Sequence, residues 1–458
     1  MTTARELADW ALALTWQGIP RDVQVIVKEH CADGLGNALG GLATDIARAA
    51  AATVKQTGNS DAASLWGSAQ RTSVPSAAFY NSILIHALDF DDTHAGGLVH
   101  ATAPTLSTAW ALGESLNKSG EDVIAAYAIG LEIICRLGSA SPYGFHSRGL
   151  HATQVCGTIA SSVVAAKLMG LSVDQTVNAM GIAGSFSGGL LEFLNTGSST
   201  KQIHPGIAAQ AGITAATLAS HGATGPESVL EGEYGIYKSL SSREANIESI
   251  TRGLGSEWQC AQITIKPYPA CQLSHVTLDA VKVAWAKAKK AGYMPSDVES
   301  INAIVHPDSA KIVCEPLVDK LEPTTPYAAK FSLPWSAAAL IIDGALIVTT
   351  FSDTSISRNE VSDIAKKFVY AAPENKAPAA SASGSVSIST KDGQVFKGEV
   401  SASSGSPTNR LSRSALADKF IAQCPNSGDA NSFFEEIFQI ENVADISTVS
   451  AKITYLTR

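Results

Sequence analysis

From Thr3 to about residue 250, apolar residues recur at helical spacing and Gly or Pro falls in the gaps between the runs. That pattern commits the first half of the chain to packed helices. Thr3-Ala4-Arg5-Glu6 reads as a capping box before Leu7, Trp10, Ala11 and Leu14, and Pro20 opens a second helix whose apolar face is Val23, Ile26 and Val27. The same spacing continues through Ala47 to Val54, Ala77 to Leu88, Leu106 to Leu116, Val123 to Leu137, Ala152 to Met169, Val173 to Ala183 and Ile207 to Ala219. Hydrophobic residues make up 45% of the 458, charged residues 16% and aromatics only 7%, so the interior is built largely from Ala, Val, Leu and Ile. Small side chains let helices approach closely.

Beyond Lys266 the texture changes. One helix, Val276 to Ala291, is followed by the alternation Ile301, Ala303, Val305, a half-buried strand. Val386 and Ile388 alternate with Ser, and Lys391-Asp392-Gly393 supplies a hairpin turn before Val395 and Phe396. Ser403-Ser404-Gly405-Ser406-Pro407 reads as a linker, after which Arg413 to Ala422 and Asn431 to Ile440 are helical again. The expectation is a mainly α protein: a large all-helical domain of discontinuous sequence, residues 1–261 and 404–458, with a smaller α+β lid domain at 262–403. No repeat of 20 to 50 residues is visible, which weighs against a solenoid.

The chain has 33 basic and 42 acidic residues, a net charge of −9, and no Lys/Arg run beyond the pairs at 289 and 366, which argues against nucleic-acid or anionic-membrane partners. Met1 to Trp16 lacks the basic and apolar regions of a secretory signal. Ser336 to Thr350, the most apolar stretch, is broken by Asp343 and Gly344 and falls short of the roughly 20 residues of a membrane span. Seven scattered cysteines without a C-x-x-C pair fit free thiols in a reducing compartment and offer no zinc or iron-sulfur spacing. A cytoplasmic protein is expected.

The densest group of ionisable residues is His86-Ala-Leu-Asp89-Phe-Asp91-Asp92-Thr93-His94, with His100 close behind. On a helix, His86, Asp89 and Asp92 or Thr93 would share one face. Imidazole and carboxylate are both metal ligands, but no H-E-x-x-H fixes a metal here, and Asp91 and Asp92 read more simply as caps that orient the following turn. Tyr143-Gly-Phe-His146-Ser-Arg148-Gly-Leu-His151 is a Gly-broken polar loop before a long apolar helix, placed either to hold a carboxylate or to serve as an ordinary surface loop. Gly181 to Gly189 lacks the following Gly-Lys-Ser/Thr of a phosphate loop. Lys201-Gln-Ile-His204-Pro-Gly206 and Lys266-Pro-Tyr268-Pro-Ala-Cys271 each set a lysine beside proline-fixed backbone; solvated surface lysines are the alternative.

Taken in order, these motifs resemble the MmgE/PrpD family over nearly the whole chain. The resemblance rests on His86 to Thr93 with His100, Gly144-Phe-His146, Lys201-x-x-His204-x-Gly206 with Ala208-Ala209, Lys266-Pro-Tyr-Pro269, Ala329-Lys-Phe-Ser-Leu-Pro334 and Gly405-x-Pro407. It implies a discontinuous helical domain, a smaller α+β lid, a homodimer, no metal or organic cofactor, and a site between the domains for a small di- or tricarboxylate. It also implies pocket residues Asp89, Thr93, His100, His146, Lys201 and Lys266. Ser147-Arg148 departs from the Pro-Thr common after Gly-Phe-His. Trp335 stands where a tyrosine is usual, and an indole N–H cannot titrate as a phenol does.

The leading expectation is a cofactor-independent epimerase, similar to iminodisuccinate epimerase, that abstracts a proton beside a carboxylate. Lys266 and Tyr143 would be the acid/base pair, with His100 and His146 assisting, and Asp89, Thr93, Arg148, Lys201 and His204 would hold substrate. The nearest rival is a hydro-lyase of the 2-methylcitrate dehydratase type, then a decarboxylase of the cis-aconitate type. A non-catalytic helical interaction protein is the rival of another class; in it the same His and Lys side chains would be dispersed and solvated.

Overall fold

The computed structural model describes residues 1–375, 379 and 382–457. The chain divides into two compact units: Met1–Glu192, Thr200–Ile265 and Ser412–Arg458 form the larger, while Phe193–Ser199 and Lys266–Leu411 form the smaller. The expected breaks, after 261 and after 403, precede those observed, after Ile265 and Leu411, and Phe193–Ser199, expected in the helical domain, belongs to the smaller unit. Strand Ile263–Thr264 pairs with Thr93–His94, which ties the chain as far as Ile265 to the larger unit. Phe193 packs its ring on Tyr327 and Phe331 at 6.4 and 5.7 Å, which draws the short segment Phe193–Ser199 into the smaller one.

The larger unit is helical, as its apolar spacing predicts. Its main helices are Thr3–Ala13, Arg21–Gly41, Asp45–Thr57, Val74–His86, Thr102–Ser115, Gly120–Ser139, Ala152–Met169, Val173–Phe186 and Thr200–Ser220. Arg413–Gln423, Ala430–Ile437 and Ser447–Tyr455 return to it. The first cap is Thr2 rather than Thr3: its hydroxyl accepts from the Arg5 N–H. The C-terminal return is bonded in place, with Trp110 Nε1 donating to Ser450 Oγ at 2.8 Å and Lys419 Nζ 2.6 Å from Asp33.

Helix Ala152–Met169 is long and apolar enough to cross a membrane, yet 89% of it is buried within the protein, as a core helix enclosed on every face must be. Helix Thr200–Ser220 abuts two neighbours main chain to main chain. A Cβ on Gly206 would sit 2.7 Å from the Phe79 carbonyl oxygen, and one on Gly212 would overlap Ser161. Only glycine permits that approach.

The smaller unit is built on a four-stranded sheet in the order Phe368–Ala371, Val298–Ile304, Gly384–Thr390, Val395–Val400; the first pair is parallel and the others antiparallel. Ile301 lies opposite Phe368 on one side and Ile388 on the other. Along Gly384–Thr390 buried and half-buried residues alternate, the period-2 pattern the sequence shows. The hairpin turn falls where expected, with Gly393 at φ 85. Helices His275–Lys290 and Leu333–Asp343 complete the core through Leu278, Val281, Leu340 and the fully buried Trp335, whose ring lies 5.7 Å from Phe351.

Candidate active site

Helix Val74–His86 stops because the backbone turns: Asp89 adopts φ 51 and its N–H returns to the His86 carbonyl at 3.0 Å. Asp is one of the few side chains that tolerate this left-handed region, because its short polar group bonds locally. Asp89, Asp92 and Thr93 therefore lie beyond the helix, and not on the helical face with His86 that their spacing predicts.

Each aspartate then meets a different partner. Asp92 accepts from Thr102 N–H at 3.1 Å and from its hydroxyl at 2.5 Å, and lies 2.9 Å from His30 Nδ1. It thereby holds the first residue of helix Thr102–Ser115, ten residues on, rather than the turn directly after helix Val74–His86. Burial pushes the Asp92 carboxyl up, but the His30 and Thr102 hydrogen bonds outweigh burial and leave its pKa below the ordinary value. Asp91 receives His86 Nδ1, 2.9 Å from both carboxylate oxygens. Asp89 receives Lys201 Nζ at 2.6 Å.

These contacts assign the ring protons. His86 Nδ1 faces a carboxylate and so carries the hydrogen, leaving Nε2 as a buried lone pair with no hydrogen-bond partner among the described residues. His100 Nδ1 lies 2.9 Å from the Asp92 carbonyl, which can only accept, so its Nε2 is also a lone pair; Lys201 Nζ donates to it at 3.2 Å. Thr93 Oγ1 stands 3.3 Å from the same Nδ1. The Thr153 hydroxyl accepts from the backbone N–H of His100 at 3.0 Å and is hydrogen-bonded to His151 Nε2 at 3.0 Å. His151 Nδ1 lies 3.1 Å from His204 Nδ1, so one of these two rings donates to the other.

The rings pack together: His86 to His100 at 4.4 Å, His86 to His151 at 6.0 Å, His100 to His151 at 5.8 Å, His151 to His204 at 5.2 Å. Burial, reinforced by the Lys201 charge, pushes His146 down to about 3 and holds His151 well below the ordinary imidazole range. Burial with His86 and Lys201 puts His204 at about 3, and burial lowers His86 despite Asp91. At neutral pH these imidazoles are uncharged, and the one ammonium among them is Lys201. Such a set offers hydrogen bonds of both senses and concentrates positive charge at a single atom.

Of the residues predicted from sequence, Asp89, Thr93, His100, Lys201 and His204 meet here. Their burial and convergence contradict the reading as dispersed, solvated groups of an interaction protein. Tyr143 and His146 lie at the edge. The two rings are 5.9 Å apart and near-parallel, His146 is a further 5.9 Å from His151, and Tyr143, at φ 63, also carries the Arg243 guanidinium 4.8 Å from its ring.

Arg148 does not join them: it is exposed and makes no side-chain hydrogen bond or ion pair among the described residues, because the turn at Gly149, φ 82, faces it outward. Lys266 is fully buried and belongs to the smaller unit. His86 and His151 join the site although the sequence reading, which names both within its motifs, gives neither an acid/base or binding role. The signal was present, since His151 immediately precedes the buried helix Ala152–Met169. With His151 central, the Gly-x-His pattern fits Gly149-Leu150-His151, and Thr153 supplies the threonine that appeared to be replaced at Arg148.

His86, Asp89, Asp91 and His100 present ligand-type atoms within 4.8 Å of one another, as do His86, His100 and His151. A divalent ion held there would face the Lys201 ammonium, itself 3.2 Å from His100 Nε2.

Two family domains match the chain: the MmgE/PrpD N-terminal domain over residues 5–248 and the MmgE/PrpD C-terminal domain over 268–440. The chain belongs to the MmgE/PrpD family. This MmgE/PrpD protein is 27% identical to cis-aconitate decarboxylase from Homo sapiens over 437 residues, 94% of this chain and 89% of that one. It is 28% identical to cis-aconitate decarboxylase from Aspergillus terreus over 378 residues, covering 79% and 76%. With the cis-aconitate decarboxylase-like protein oryM of Aspergillus oryzae it shares 30% over 292 residues, 60% of each. At the level the family sets, this MmgE/PrpD member is an enzyme of the lyase and dehydratase type.

Proposed function

We propose that this enzyme is a cofactor-independent lyase for a small unsaturated di- or tricarboxylate, with decarboxylation of cis-aconitate the reaction to test first. The observation that carries the reading is the Lys201 ammonium lodged between Asp89 and His100 and surrounded by neutral imidazoles. In a decarboxylation the bond to the departing carboxylate breaks, its electron pair forms a new double bond, and the former alkene carbon takes up a proton. Negative charge spreads onto a remaining carboxylate during that step. A buried ammonium and fixed N–H donors stabilise such charge far more than water would, because they are already oriented. Lys266 is the proposed proton donor and acceptor, on the strength of the Lys-Pro-Tyr-Pro motif.

The relatives' names favour the lyase over the epimerase expected from sequence. Tyr143 keeps the second reading in play: its αL backbone, aligned against the His146 ring, is the kind of held geometry a second acid/base group requires. Incubation in heavy water, followed by NMR, separates the outcomes. The lyase converts cis-aconitate to CO2 and a deuterated unsaturated dicarboxylate. An epimerase leaves substrate mass unchanged except for exchanged deuterium, and a dehydratase makes an alkene from a hydroxy acid such as 2-methylcitrate. Exchange without CO2 release or alkene formation would overturn the lyase reading.

A further inference from the structure

We propose that the smaller unit carries a binding pocket of its own for a small carboxylic acid with a flat apolar body, seated on Lys320. The pocket encloses about 260 Å³ between the segment Phe193–Gly197, helix Leu317–Leu321 and helix Pro326–Ala329. At roughly 30 Å³ per water-sized group, that admits a metabolite of about nine non-hydrogen atoms.

Three aromatic rings wall one side and brace one another: Tyr327 to Phe331 at 5.4 Å, Phe193 to Phe331 at 5.7 Å and Phe193 to Tyr327 at 6.4 Å. Lys320 supplies the charge. It is only 7% exposed, its carbonyl is tied down by the Ser332 hydroxyl, and among the described residues no acceptor or carboxylate lies within bonding distance of its Nζ. Burial accordingly lowers its pKa. The neighbouring Asp319, at the pocket's rim, is exposed and exerts the smallest influence on it.

Other lysines of this unit differ. Lys330 donates to the Pro269 carbonyl at 2.8 Å, and Lys366 pairs with Glu322 at 2.6 Å. An ammonium that opens onto the pocket from an otherwise buried side chain, with no acceptor among the described residues, is met by an incoming carboxylate, while the rings take the ligand's apolar face. One amine does not suit a phosphate dianion, which calls for several donors; a carboxylate with a planar body fits both features.

The proposal does not depend on the decarboxylation proposed above, and its test is kept separate from it. Benzoate is the probe, titrated calorimetrically into the full chain. Lys320→Met, which preserves length and loses charge, is expected to weaken benzoate about 10- to 100-fold, the range of a charge-assisted hydrogen bond. Lys320→Arg retains binding, and Lys366→Met, at an exposed lysine of the same unit, leaves benzoate affinity unchanged. A second measurement needs no variant: reductive methylation of the native protein, mapped by mass spectrometry, is slowed by benzoate at Lys320 and not at Lys330. Equal benzoate affinity in Lys320→Met, absence of benzoate binding to the native protein, or methylation of Lys320 indifferent to benzoate would each overturn it.

Discussion

Lys201 and Lys320 are both more than nine-tenths buried, one in each unit, and their surroundings are opposite. Lys201 is held by Asp89 and by the lone pair of His100; Lys320 has aromatic walls and no acceptor within reach among the described residues. A buried charge is tolerable when paired and costly when alone, so the first is a completed electrostatic device and the second an incomplete one. The pairing of Lys201 also makes it structural, whereas Lys320 is expected to weaken the fold that contains it.

Substitution by methionine gives the largest test of that contrast. Lys201→Met is expected to lower kcat/KM by about 10²- to 10³-fold. It should also destabilise the fold by about 3–5 kcal/mol, because Asp89 is left buried without its ammonium. Adding Asp89→Asn should restore the melting temperature but not the turnover. Lys320→Met should instead raise the melting temperature. Both variants losing stability alike would break the comparison.

Next in size is the contrast inside the larger unit. His151→Gln is expected to reduce kcat by about 10²-fold, the low end for a group acting in proton transfer, while Arg148→Ala, which alters an exposed side chain, should change it less than threefold by the usual behaviour of surface substitutions. Steady-state kinetics on the two variants separates a side chain inside the imidazole cluster from one that faces away from it.

Stability against pH comes third. His146 and His204, at about 3, and His94, lowered by burial to about 4, stay neutral in the fold but charge near pH 6.5 when the chain unfolds. The unfolded state therefore binds more protons between those limits. Stability is complete above about pH 6.5 and falls as the pH drops toward 4, by up to about 1.4 kcal/mol per pH unit for each such group. Thermal melts across that window check it; a melting temperature flat from pH 7 to pH 4.5 would show that these imidazoles are not held neutral. Smallest of all is the effect of a chelator: excess EDTA is expected to leave turnover unchanged, and loss of activity restored by a divalent ion would reassign His86, Asp89, Asp91 and His100 as ligands.

The helices and the hairpin were legible because their apolar periodicity is local: Gly120–Ser139 and Gly384–Thr390 each carry their own signal. The site was legible as a set of residue types but not as a geometry. Nothing in His86 to Thr93 announces that Asp89 turns left-handed and ends the helix there, since Asp accepts that conformation without requiring it. His151 was obscured by a similar histidine five residues earlier, and the hydrogen bonds through Thr153 and His204 separate the two. The allegiance of Phe193–Ser199 to the smaller unit rests on ring contacts with Tyr327 and Phe331, more than 130 residues away in sequence, which no local pattern encodes.

The glycine contacts along helix Thr200–Ser220 bear on how the larger unit can evolve. Lys201 and His204 sit at its start, and Gly206 and Gly212 fix its height against the helices that carry His86 and Thr153. Gly212 is eleven residues from Lys201, about 16 Å at 1.5 Å per residue. A single added methyl that far off would slide the helix as a rod and alter every spacing in the imidazole cluster at once. Such a scaffold tolerates exchange of the groups at its tips more readily than any change in its gauge, so new chemistry among its descendants is expected to arise by replacing side chains around a conserved lysine, with the helix axes held in place.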